Sequence, residues 1–419
     1  MLYFLGIGSN LGNREQQING AIRCLNVMGE MLGVAPFYYS EPQGFDSPNE
    51  FCNTVIALTT NLRPKQVLHL CQVTEREIGR NTHSIILPDG TKQYSDRLID
   101  VDILCAYDDG MEITMNTPTL TLPHPRMQDR DFVLEPLKQL IRNSVKDTPI
   151  YFHKMHGLGN DYIYFDCIDR ERQTTLLLLP LVQRIAPLLC ERHTGVGADG
   201  LVFVLPDKKA DVRMRIFNAD GSEAEMCGNA ARCVALFAFA RKYAEGYSLK
   251  LATKGGIRKI VAKPKGLYAV AMGKPVYEGA HEIDGRTYHC VNVGNPHAIT
   301  ILKDSEALTG ELVHTIGPQI ESHPLFPNRT NVEFCVVLDE HHVAMRVWER
   351  GSGETQACGT GATATAVACI KQGLCKSPVT VTLLGGNLTI KHNSRITQMI
   401  GTATLAYTGV ITSNLIEEI

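Results

Sequence analysis

Two cysteines lie in closely matching sequence contexts and could act together as an acid and a base. Cys227 and Cys358 each have a glutamate four residues before, a glycine directly after, and alanines four and eight residues after. A run of small residues typical of a helix follows each, over 230–240 and 362–372. Each thiol is therefore predicted at a helix N-terminus, where free amides bind anions and lower a thiol's pKa. A thiolate on one face of a carbon acid and a thiol on the other could invert a stereocentre.

The repeated context around the two cysteines also indicates how they would be brought together. The copies lie one domain length apart, which favours a duplicated lobe and places the cysteines on opposite sides of a cleft. A buried cysteine is usually an inert small hydrophobe, and small-residue helices also pack well in a core. The pattern alone leaves catalysis and inert burial both open.

A second candidate site is the alternating pair Asp100 and Asp102 in the segment 99–104. Residues two apart on a strand point to the same face, so the carboxylates project together while the isoleucines pack on the other side. A hard cation such as Mg²⁺ would relieve their repulsion and could bring nucleotide phosphates with it. An edge strand that uses charge against aggregation is the alternative. The sequence lacks G-x-x-x-x-G-K-[ST], so any ATP site here is not a P-loop.

The elements that must position these residues fall into two parts. Hydrophobic spacing predicts strands over 2–8, 51–58 and 99–107 and helices over 15–28, 64–78 and 131–142, an α/β or α+β sandwich. The polar segment 143–149 ends in proline and is interpreted as a linker. Gly195, Gly197 and Gly200 satisfy the dinucleotide-binding pattern but precede the predicted strand 201–205. That order favours a tight turn.

Composition limits the classes of function. The 419 residues carry a net charge of −3, which excludes a strongly basic nucleic-acid binder. The longest apolar stretch, 175–190, is interrupted by prolines and charge, so no membrane partner is expected. The chain begins without a leader pattern, and its thirteen cysteines lack C-x-x-C spacing, which predicts a reduced, cytoplasmic protein without a cysteine zinc site.

Seven blocks in the second part of the chain resemble the diaminopimelate epimerase family. In chain order they are Met155–Asp161, Gly195–Gly200, Phe217–Ser222, Cys227–Cys233, Gly294–His297, Arg329–Phe334 and Trp348–Gly361. The resemblance implies that Cys227 and Cys358 are the acid/base pair that converts LL- to meso-diaminopimelate without pyridoxal phosphate or metal. It further implies two pseudo-symmetric α/β lobes, about 150–275 plus the C-terminal segment and about 276–404.

The same resemblance assigns binding roles to particular residues. The reacting α-carboxylate would be bound by Gly228, Asn229, Gly359 and Thr360. Glu349 would lie near the reacting amino group, and His297 would be a supporting polar group beside the cysteines. The distal amino-acid end and the other polar groups of the substrate would be bound by Asn160, Asn218, Asn295, Asn331 and Arg350.

The first part of the chain resembles the 6-hydroxymethyl-7,8-dihydropterin pyrophosphokinase family. Its matching blocks are Gly6–Gly12, Ser40–Gly44, Phe51–Asn53, Arg97–Leu104, Leu122–Pro125 and Arg130–Leu137. The resemblance implies a ferredoxin-like α/β sandwich in which Asp100 and Asp102 bind the Mg²⁺ ions that bridge ATP. The phosphates would be neutralised by Arg97, His124 and Arg130, and the pterin hydrogen-bonded by Asn53 and stacked by Phe132.

One segment departs from the kinase pattern. The loop 81–96 is longer than usual, and Thr82 and Tyr94 occupy the approximate places of a family arginine and tryptophan. In the family this loop closes over ATP, so the resemblance does not carry the loop's ATP contacts over to this chain, although the aspartates and Arg97 are intact.

We therefore expect an α+β bifunctional enzyme with a kinase domain over 1–148 and an epimerase domain over 150–419. The kinase step belongs to folate synthesis and the epimerase step to lysine and peptidoglycan synthesis. Its partners would be small molecules, namely ATP, hydroxymethyldihydropterin and diaminopimelate, with a homodimer compatible with the sequence. The alternatives are a non-catalytic interaction module in the first part and another cofactor-independent racemase or isomerase in the second.

Overall fold

The computed structural model describes residues 1–80, 85–86, 92–303, 308–412 and 414. Much of the atypical loop, including Thr82 and the segment 87–90, lies outside the described residues. The chain divides into two compact units. The first comprises Met1–Tyr151, Cys167–Ile185 and the chain from Val410, and the second comprises Phe152–Asp166 and Ala186–Gly409.

The first unit is built from an antiparallel sheet and three long helices. The helices are α1 (Arg14–Leu25), α2 (Pro64–Glu77) and α3 (Asp131–Asp147), with 3-10 turns at Asn26–Met28 and Met127–Asp129. The strands are β1 (Leu2–Ser9), β2 (Glu30–Val34), β3 (Tyr38–Ser40), β4 (Phe51–Thr59), β5 (Ile85–Ile86), β6 (Lys92–Gln93), β7 (Asp100–Asp108), β8 (Met111–Glu112), β9 (Met115–Asn116) and β10 (Thr121–Leu122).

The central sheet has the order β2-β4-β1-β7-β8, with β3 also paired to β4. Alternate residues of its strands pack with α1 and α2 in one apolar cluster that includes Ile7, Ile56 and Val101. The apolar positions Ile18, Ala21 and Leu25 recur along one face of α1, which is why that helix docks on the sheet. The opposite face of the sheet carries Gly6, Gly8, Asn53, Asp100 and Asp102, and it is left for the site.

Helix α3 extends further than predicted. The interpretation of residues 143–147 as a linker is wrong, because α3 continues to Asp147 and the helix ends at Thr148. Leu140, Ile141 and Val145 are buried at helical spacing, and this apolar face outweighs the polar composition of the segment.

The second unit contains most of the remaining elements. Its helices are α4 (Val182–Cys190), which begins in the first unit, α5 (Gly228–Ala240), α6 (Gly310–Glu321) and α7 (Gly359–Lys371), and 3-10 segments occur at Arg170–Leu181 and Pro264–Gly266. The strands are β11 (Ile150–Gly157), β12 (Asn160–Asp166), β13 (Gly200–Leu205), β14 (Val212–Asn218), β15 (Glu223–Ala224), β16 (Ser248–Thr253), β17 (Gly256–Lys263), β18 (Leu267–Ala271), β19 (Val276–Ile283), β20 (Arg286–Asn292), β21 (Pro296–Leu302), β22 (Asn331–Asp339), β23 (His342–Glu349), β24 (Gly353–Glu354), β25 (Val379–Leu383), β26 (Gly386–His392), β27 (Thr397–Thr402) and β28 (Thr404–Ile411).

The same order of strand pairings occurs twice in this unit. Strands β12 and β13 pair in parallel, β13 and β14 antiparallel, and β14 and β16 in parallel, followed by antiparallel β16–β17 and β17–β18. Strands β21, β22, β23, β25, β26 and β27 repeat that order. Helices α5 and α7 occupy equivalent places in the two copies, so the duplication seen around the cysteines extends through whole lobes.

Two local predictions are confirmed in this unit. Helices begin directly after Cys227 and Cys358, each cysteine being the N-cap residue. The glycine-rich segment 195–200 connects the end of α4 to the start of β13, a helix-turn-strand order. No helix among the described residues combines the length and apolar character that a membrane-spanning helix needs.

Candidate active sites

The two cysteine thiols occupy equivalent positions at the N-termini of α5 and α7. The Sγ of Cys227 accepts a hydrogen bond from the amide of Ala230 at 3.5 Å and donates to Oδ1 of Asn160 at 3.4 Å. The Sγ of Cys358 accepts from the amide of Gly361 at 3.4 Å and lies 3.5 Å from Oγ1 of Thr360. Each sulfur thus meets the free amides of a helix's first turn.

The helix amides lower the pKa of both thiols as predicted, but burial outweighs them and the net pKa of each thiol is raised. Burial raises the pKa of the Cys227 thiol and outweighs the amide of Ala230, which lowers it. Burial raises the pKa of Cys358 well above its usual range, and the carboxylates of Glu349 and Glu333 raise it further. Both sulfurs are therefore mainly neutral thiols near pH 7.

The two helix N-termini converge on one side chain, Met399 of β27. A Cβ atom at Gly228 would lie 2.7 Å from Cε of Met399, and one at Gly359 would lie 2.6 Å from its Sδ. A side chain at either glycine would force the methionine side chain to move. These glycines therefore let both helices approach the same point, in addition to exposing their amides.

A cleft of about 790 Å³ opens at this point of convergence. Of the residues predicted from the sequence for this half, all but His297 line it, namely Asn160, Asn218, Cys227, Gly228, Asn229, Asn295, Asn331, Glu349, Arg350, Cys358, Gly359 and Thr360. Residues that are far apart in the sequence are thus brought together around the two thiols.

Glu349 and His297 occupy different positions relative to the cleft. Glu349 lines it at the end of β23, where its carboxylate accepts a hydrogen bond from Thr355 at 2.5 Å; burial raises the pKa of the carboxyl group. His297 is buried behind the cleft, its Nδ1 lying 2.6 Å from Glu333 and its Nε2 3.0 Å from Oδ1 of Asn295. Asn295 in turn donates to Thr360 at 3.4 Å, so His297 reaches the Cys358 side of the cleft through intervening residues.

Two of the polar residues expected to bind the far end of the substrate, Asn331 and Asn218, are held by hydrogen bonds within the protein. Asn331 accepts from the backbone amide of Arg350 at 3.0 Å and donates to the carbonyl of Pro296 at 2.9 Å. Asn218 donates to Oγ of Ser222 at 3.0 Å. These contacts orient the side chains before any ligand binds.

Sequence reasoning missed several cleft residues. Asp199 accepts a hydrogen bond from Asn160 at 2.8 Å, and Arg192 contacts both Asp199 and Asp161. Asp199 lies in the family-like block 195–200, which offered a signal, whereas Arg192 lies outside every block that resembles the family.

In the first unit, Asp100 and Asp102 lie on one face of β7, next to strand β1. Their partners in the register of β1 are Gly8 and Gly6, which have no side chains to cover the carboxylates. A Cβ at Gly8 would lie 2.9 Å from Oδ1 of Asn53, so the glycine also makes room for that side chain.

The carboxylate of Asp100 is bracketed by two arginines. Its Oδ1 lies 2.5 Å from Arg80 and its Oδ2 lies 3.0 Å from Arg97. Arg80 also pairs with the buried Glu75, which accepts the backbone amide of Val101 at 2.9 Å. Arg80 was not predicted as a site residue, although it directly precedes the atypical loop.

A cavity of about 60 Å³ adjoins these groups. It is lined by most of the residues predicted for this half, namely Asn53, Arg97, Asp100, Asp102, Arg130 and Phe132. The guanidinium of Arg130 stacks over the Phe132 ring at 5.2 Å, and burial lowers the pKa of Arg130. His124 is not among the lining residues; its amide donates to the carbonyl of Leu104 at 2.7 Å.

Comparison with known proteins assigns each half to a family. The diaminopimelate epimerase family model matches residues 152–278 and 289–406. The model for 7,8-dihydro-6-hydroxymethylpterin-pyrophosphokinase matches residues 4–142. A diaminopimelate epimerase of Acetivibrio thermocellus is 41% identical over 63% of this chain and 99% of its own length. One from Methanococcus maripaludis is 42% identical over 62% of this chain and 99% of its own.

Two solved structures show a more distant similarity. A phenazine biosynthesis protein of the PhzF family from Bacillus anthracis is 18% identical, covering 63% of this chain and 99% of its own, with a TM-score of 0.49. A hydroxyproline epimerase from Agrobacterium vitis is 14% identical, covering 63% of this chain and 91% of its own, with a TM-score of 0.48.

The chain is therefore an enzyme that joins two classes, a pyrophosphokinase and an isomerase. It belongs to the diaminopimelate epimerase family and carries a hydroxymethyldihydropterin pyrophosphokinase domain at its N-terminal end.

Proposed function

We propose that the second unit interconverts LL- and meso-diaminopimelate with Cys227 and Cys358 as the two acid/base groups. The observation that carries this proposal is that both thiols cap converging helices and line the same cleft. Two protonatable atoms on opposite sides of one bound carbon are what inversion of a stereocentre requires.

The reacting α-carboxylate binds between the two helix N-termini. The first amides of α5 and α7, at Gly228, Asn229, Gly359 and Thr360, donate hydrogen bonds to it. The positive ends of both helix dipoles stabilise the carboxylate and the additional negative charge that develops on it when the α-carbon loses its proton.

The proton transfers then involve only sulfur and carbon. One cysteine, as thiolate, removes the α-proton, and the other, still a thiol, donates its proton to the opposite face of the same carbon. The product leaves with inverted configuration, and the protonation states of the two sulfurs are exchanged. Side chains alone complete this step, so we propose that it needs neither pyridoxal phosphate nor a metal.

Selection between the two ends of the substrate depends on the polar residues across the cleft. Arg350, Asn331, Asn295, Asn218 and Asn160 pair with the distal amino-acid group and the remaining polar atoms. A ligand lacking that group would leave them unpaired in a desolvated cleft, which disfavours binding. Glu349 supports the reacting amino group of the substrate. The buried His297 supports the side of the cleft that carries Cys358.

Solvent-deuterium exchange tests the epimerase proposal. Diaminopimelate incubated with the enzyme in D₂O should gain deuterium at the α-carbon as the isomers interconvert. Absence of label would overturn the proposal, and labelling of proline but not of diaminopimelate would favour a different racemase.

We further propose that the first unit transfers the β,γ-pyrophosphoryl group of ATP to 6-hydroxymethyl-7,8-dihydropterin. The element order β1-α1-β2-β4-α2-β7 and the sheet order β2-β4-β1-β7 support a ferredoxin-like sandwich. Two carboxylates on one strand face, opposite glycines, fit Mg²⁺, which prefers oxygen ligands and binds through one or two carboxylates plus phosphates. When bound, Mg²⁺ would neutralise phosphate charge.

The protein's own residues position the reactants. Asp100 and Asp102 would hold the metal, Arg97, Arg130 and His124 would neutralise the phosphates, and Asn53 and Phe132 would orient the pterin. The hydroxymethyl oxygen attacks the β-phosphorus, AMP leaves, and the hydroxyl proton passes to solvent. The present cavity is far below the roughly 300 Å³ of a typical ligand pocket, so we expect Arg97 to leave Asp100 when ATP enters.

Product analysis tests the kinase proposal. Incubation with Mg-ATP and the hydroxymethyl pterin should yield AMP and the pterin pyrophosphate in equal amounts. If no AMP forms, the unit is an interaction module rather than a kinase.

The odd number of cysteines supports a reducing, cytosolic location for both reactions.

A further inference from the structure

Arg232 is a fully buried cation whose acceptors are all neutral. It is 0% exposed, and no ion pair to a carboxylate is found for it among the described residues. Its Nε donates to the carbonyl of Thr402 at 2.8 Å, its Nη2 to Oδ1 of Asn229 at 3.0 Å, and its Nη1 to Sδ of Met399 at 3.5 Å. Arginine is almost never fully buried unless it is paired with an opposite charge.

The fold provides space for this guanidinium. A Cβ at Gly157 would lie 2.7 Å from its Nη2, and a Cβ at Gly401 would lie 3.1 Å from its Cζ. Two strands, β11 and β27, thus carry glycine where any other residue would meet the cation. The buried charge is therefore accommodated from two sides.

The guanidinium lies behind the point where the two catalytic helices converge. Asn229, which accepts from Arg232, is in the first turn of α5 and donates to Oδ1 of Asn160 at 3.1 Å, the atom that also accepts from Cys227. Met399, the third contact of Arg232, packs against both Gly228 and Gly359. The groups that face the cation electrostatically are Cys227, Cys233 and Tyr164, each able to carry negative charge.

We propose that Arg232 is a positioning residue that supplies the counter-charge for the anionic centre of the epimerase site. Acting through Asn229, it stabilises the thiolate of Cys227 and the reacting α-carboxylate bound at the helix N-termini. This inference rests on the proposed epimerase function. Among the described residues the cation has no carboxylate partner, because the substrate and the thiolate provide the negative charge. Its attraction for them is strong, since the surroundings exclude water.

The inference is tested by comparing Arg232→Gln, Arg232→Lys and the control Arg241→Gln. Arg241 caps the opposite end of the same helix and lies 3.9 Å from Asp166. The first readout is the rate at which iodoacetamide alkylates Cys227 at fixed pH without substrate, located by mass spectrometry. The second is kcat and KM for diaminopimelate.

Loss of the charge should slow alkylation of Cys227 about tenfold, equivalent to about one pKa unit, and raise KM. Arg232→Lys keeps the charge but loses the guanidinium geometry, so it should stay within about threefold of wild type, as should Arg241→Gln. A folded Arg232→Gln enzyme with wild-type alkylation and KM would overturn the inference.

If Arg232 had a purely structural role, the lysine and glutamine variants would be impaired equally. Equal impairment would therefore also overturn the inference that Arg232 supplies a counter-charge. If Arg232→Gln does not fold, Arg232→Lys decides the question, since a loss above tenfold in its alkylation rate contradicts a role for charge. Alkylation is measured without turnover, so failure of the epimerase proposal is seen separately, as absent deuterium exchange in the wild-type enzyme.

Discussion

The side-chain amide of Asn229 donates a hydrogen bond to the carbonyl oxygen of Ala357 at 2.9 Å. Asn229 is in the first turn of α5, and Ala357 directly precedes the cysteine that caps α7. The bond therefore ties the N-terminus of α5 to the residue that precedes Cys358. A fixed spacing between the two helix N-termini suits the proposed reaction, which needs both thiols at once.

Replacing either catalytic thiol should stop the epimerase. Cys227→Ser or Cys358→Ser should lower kcat by about 10³-fold, because a hydroxyl is a far weaker acid than a thiol and general acid–base groups contribute up to about 10⁴-fold. Cys233→Ala is the control and should retain activity, because Cys233 lies further along α5, the helix that Cys227 caps. Rates within tenfold of wild type for both serine variants would contradict the two-thiol mechanism.

Alkylation of the free enzyme should depend steeply on pH. Because burial raises the pKa of both thiols, the neutral form predominates below the raised value and the reactive thiolate appears only as the pH rises through it. The iodoacetamide rate should therefore increase about tenfold per pH unit from pH 6 to pH 8 without a plateau. A plateau below pH 7 would indicate a lowered pKa instead.

Glu321 should control substrate affinity without touching the substrate. Its buried carboxylate accepts from the indole of Trp348 at 2.8 Å and the amide of Gly351 at 2.7 Å, and it pairs with Arg329 at 2.7 Å. These bonds fix the loop that carries Glu349 and Arg350.

Glu321→Gln should raise KM for diaminopimelate about tenfold, because removal of one partner of a buried charged bond costs about 1.5–3 kcal/mol. Glu311→Gln, at the exposed first turn of the same helix, is the matched control. Equal KM values for the two variants would show that Glu321 does not affect substrate affinity.

The kinase activity should be separable from the epimerase by one substitution. Asp100→Asn leaves Arg80 and Arg97 without their shared carboxylate and removes a metal ligand, so AMP formation should fall about 100-fold or more. Epimerase activity in the same preparation should be unchanged. Asp108→Asn, at the far end of the same strand, is the control. Unchanged AMP formation in Asp100→Asn would exclude the proposed metal site.

The sequence predicted features that depend on local periodicity. The helices after Cys227 and Cys358 and the shared face of Asp100 and Asp102 follow from spacings of a few residues. The continuation of α3 through Val145 was also present as helical spacing, but its polar neighbours obscured it.

Contacts between distant segments could not be predicted. Met399 packs on Gly228 and Gly359, and Arg232 is enclosed by Gly157 and Gly401, only because strands from both lobes meet there. The raised pKa of the thiols has the same origin. A helix N-terminus is visible in the sequence, whereas the depth of burial that outweighs it depends on the complete fold.

The order of the two family matches along the chain has a consequence for synthesis on the ribosome. The pyrophosphokinase match lies within residues 4–142, and the epimerase match begins only at residue 152. Every residue proposed for the kinase site is therefore translated before the epimerase match begins. A premature stop between Cys227 and Cys358 would remove one of the two thiols proposed for epimerisation and leave the pyrophosphokinase sequence complete.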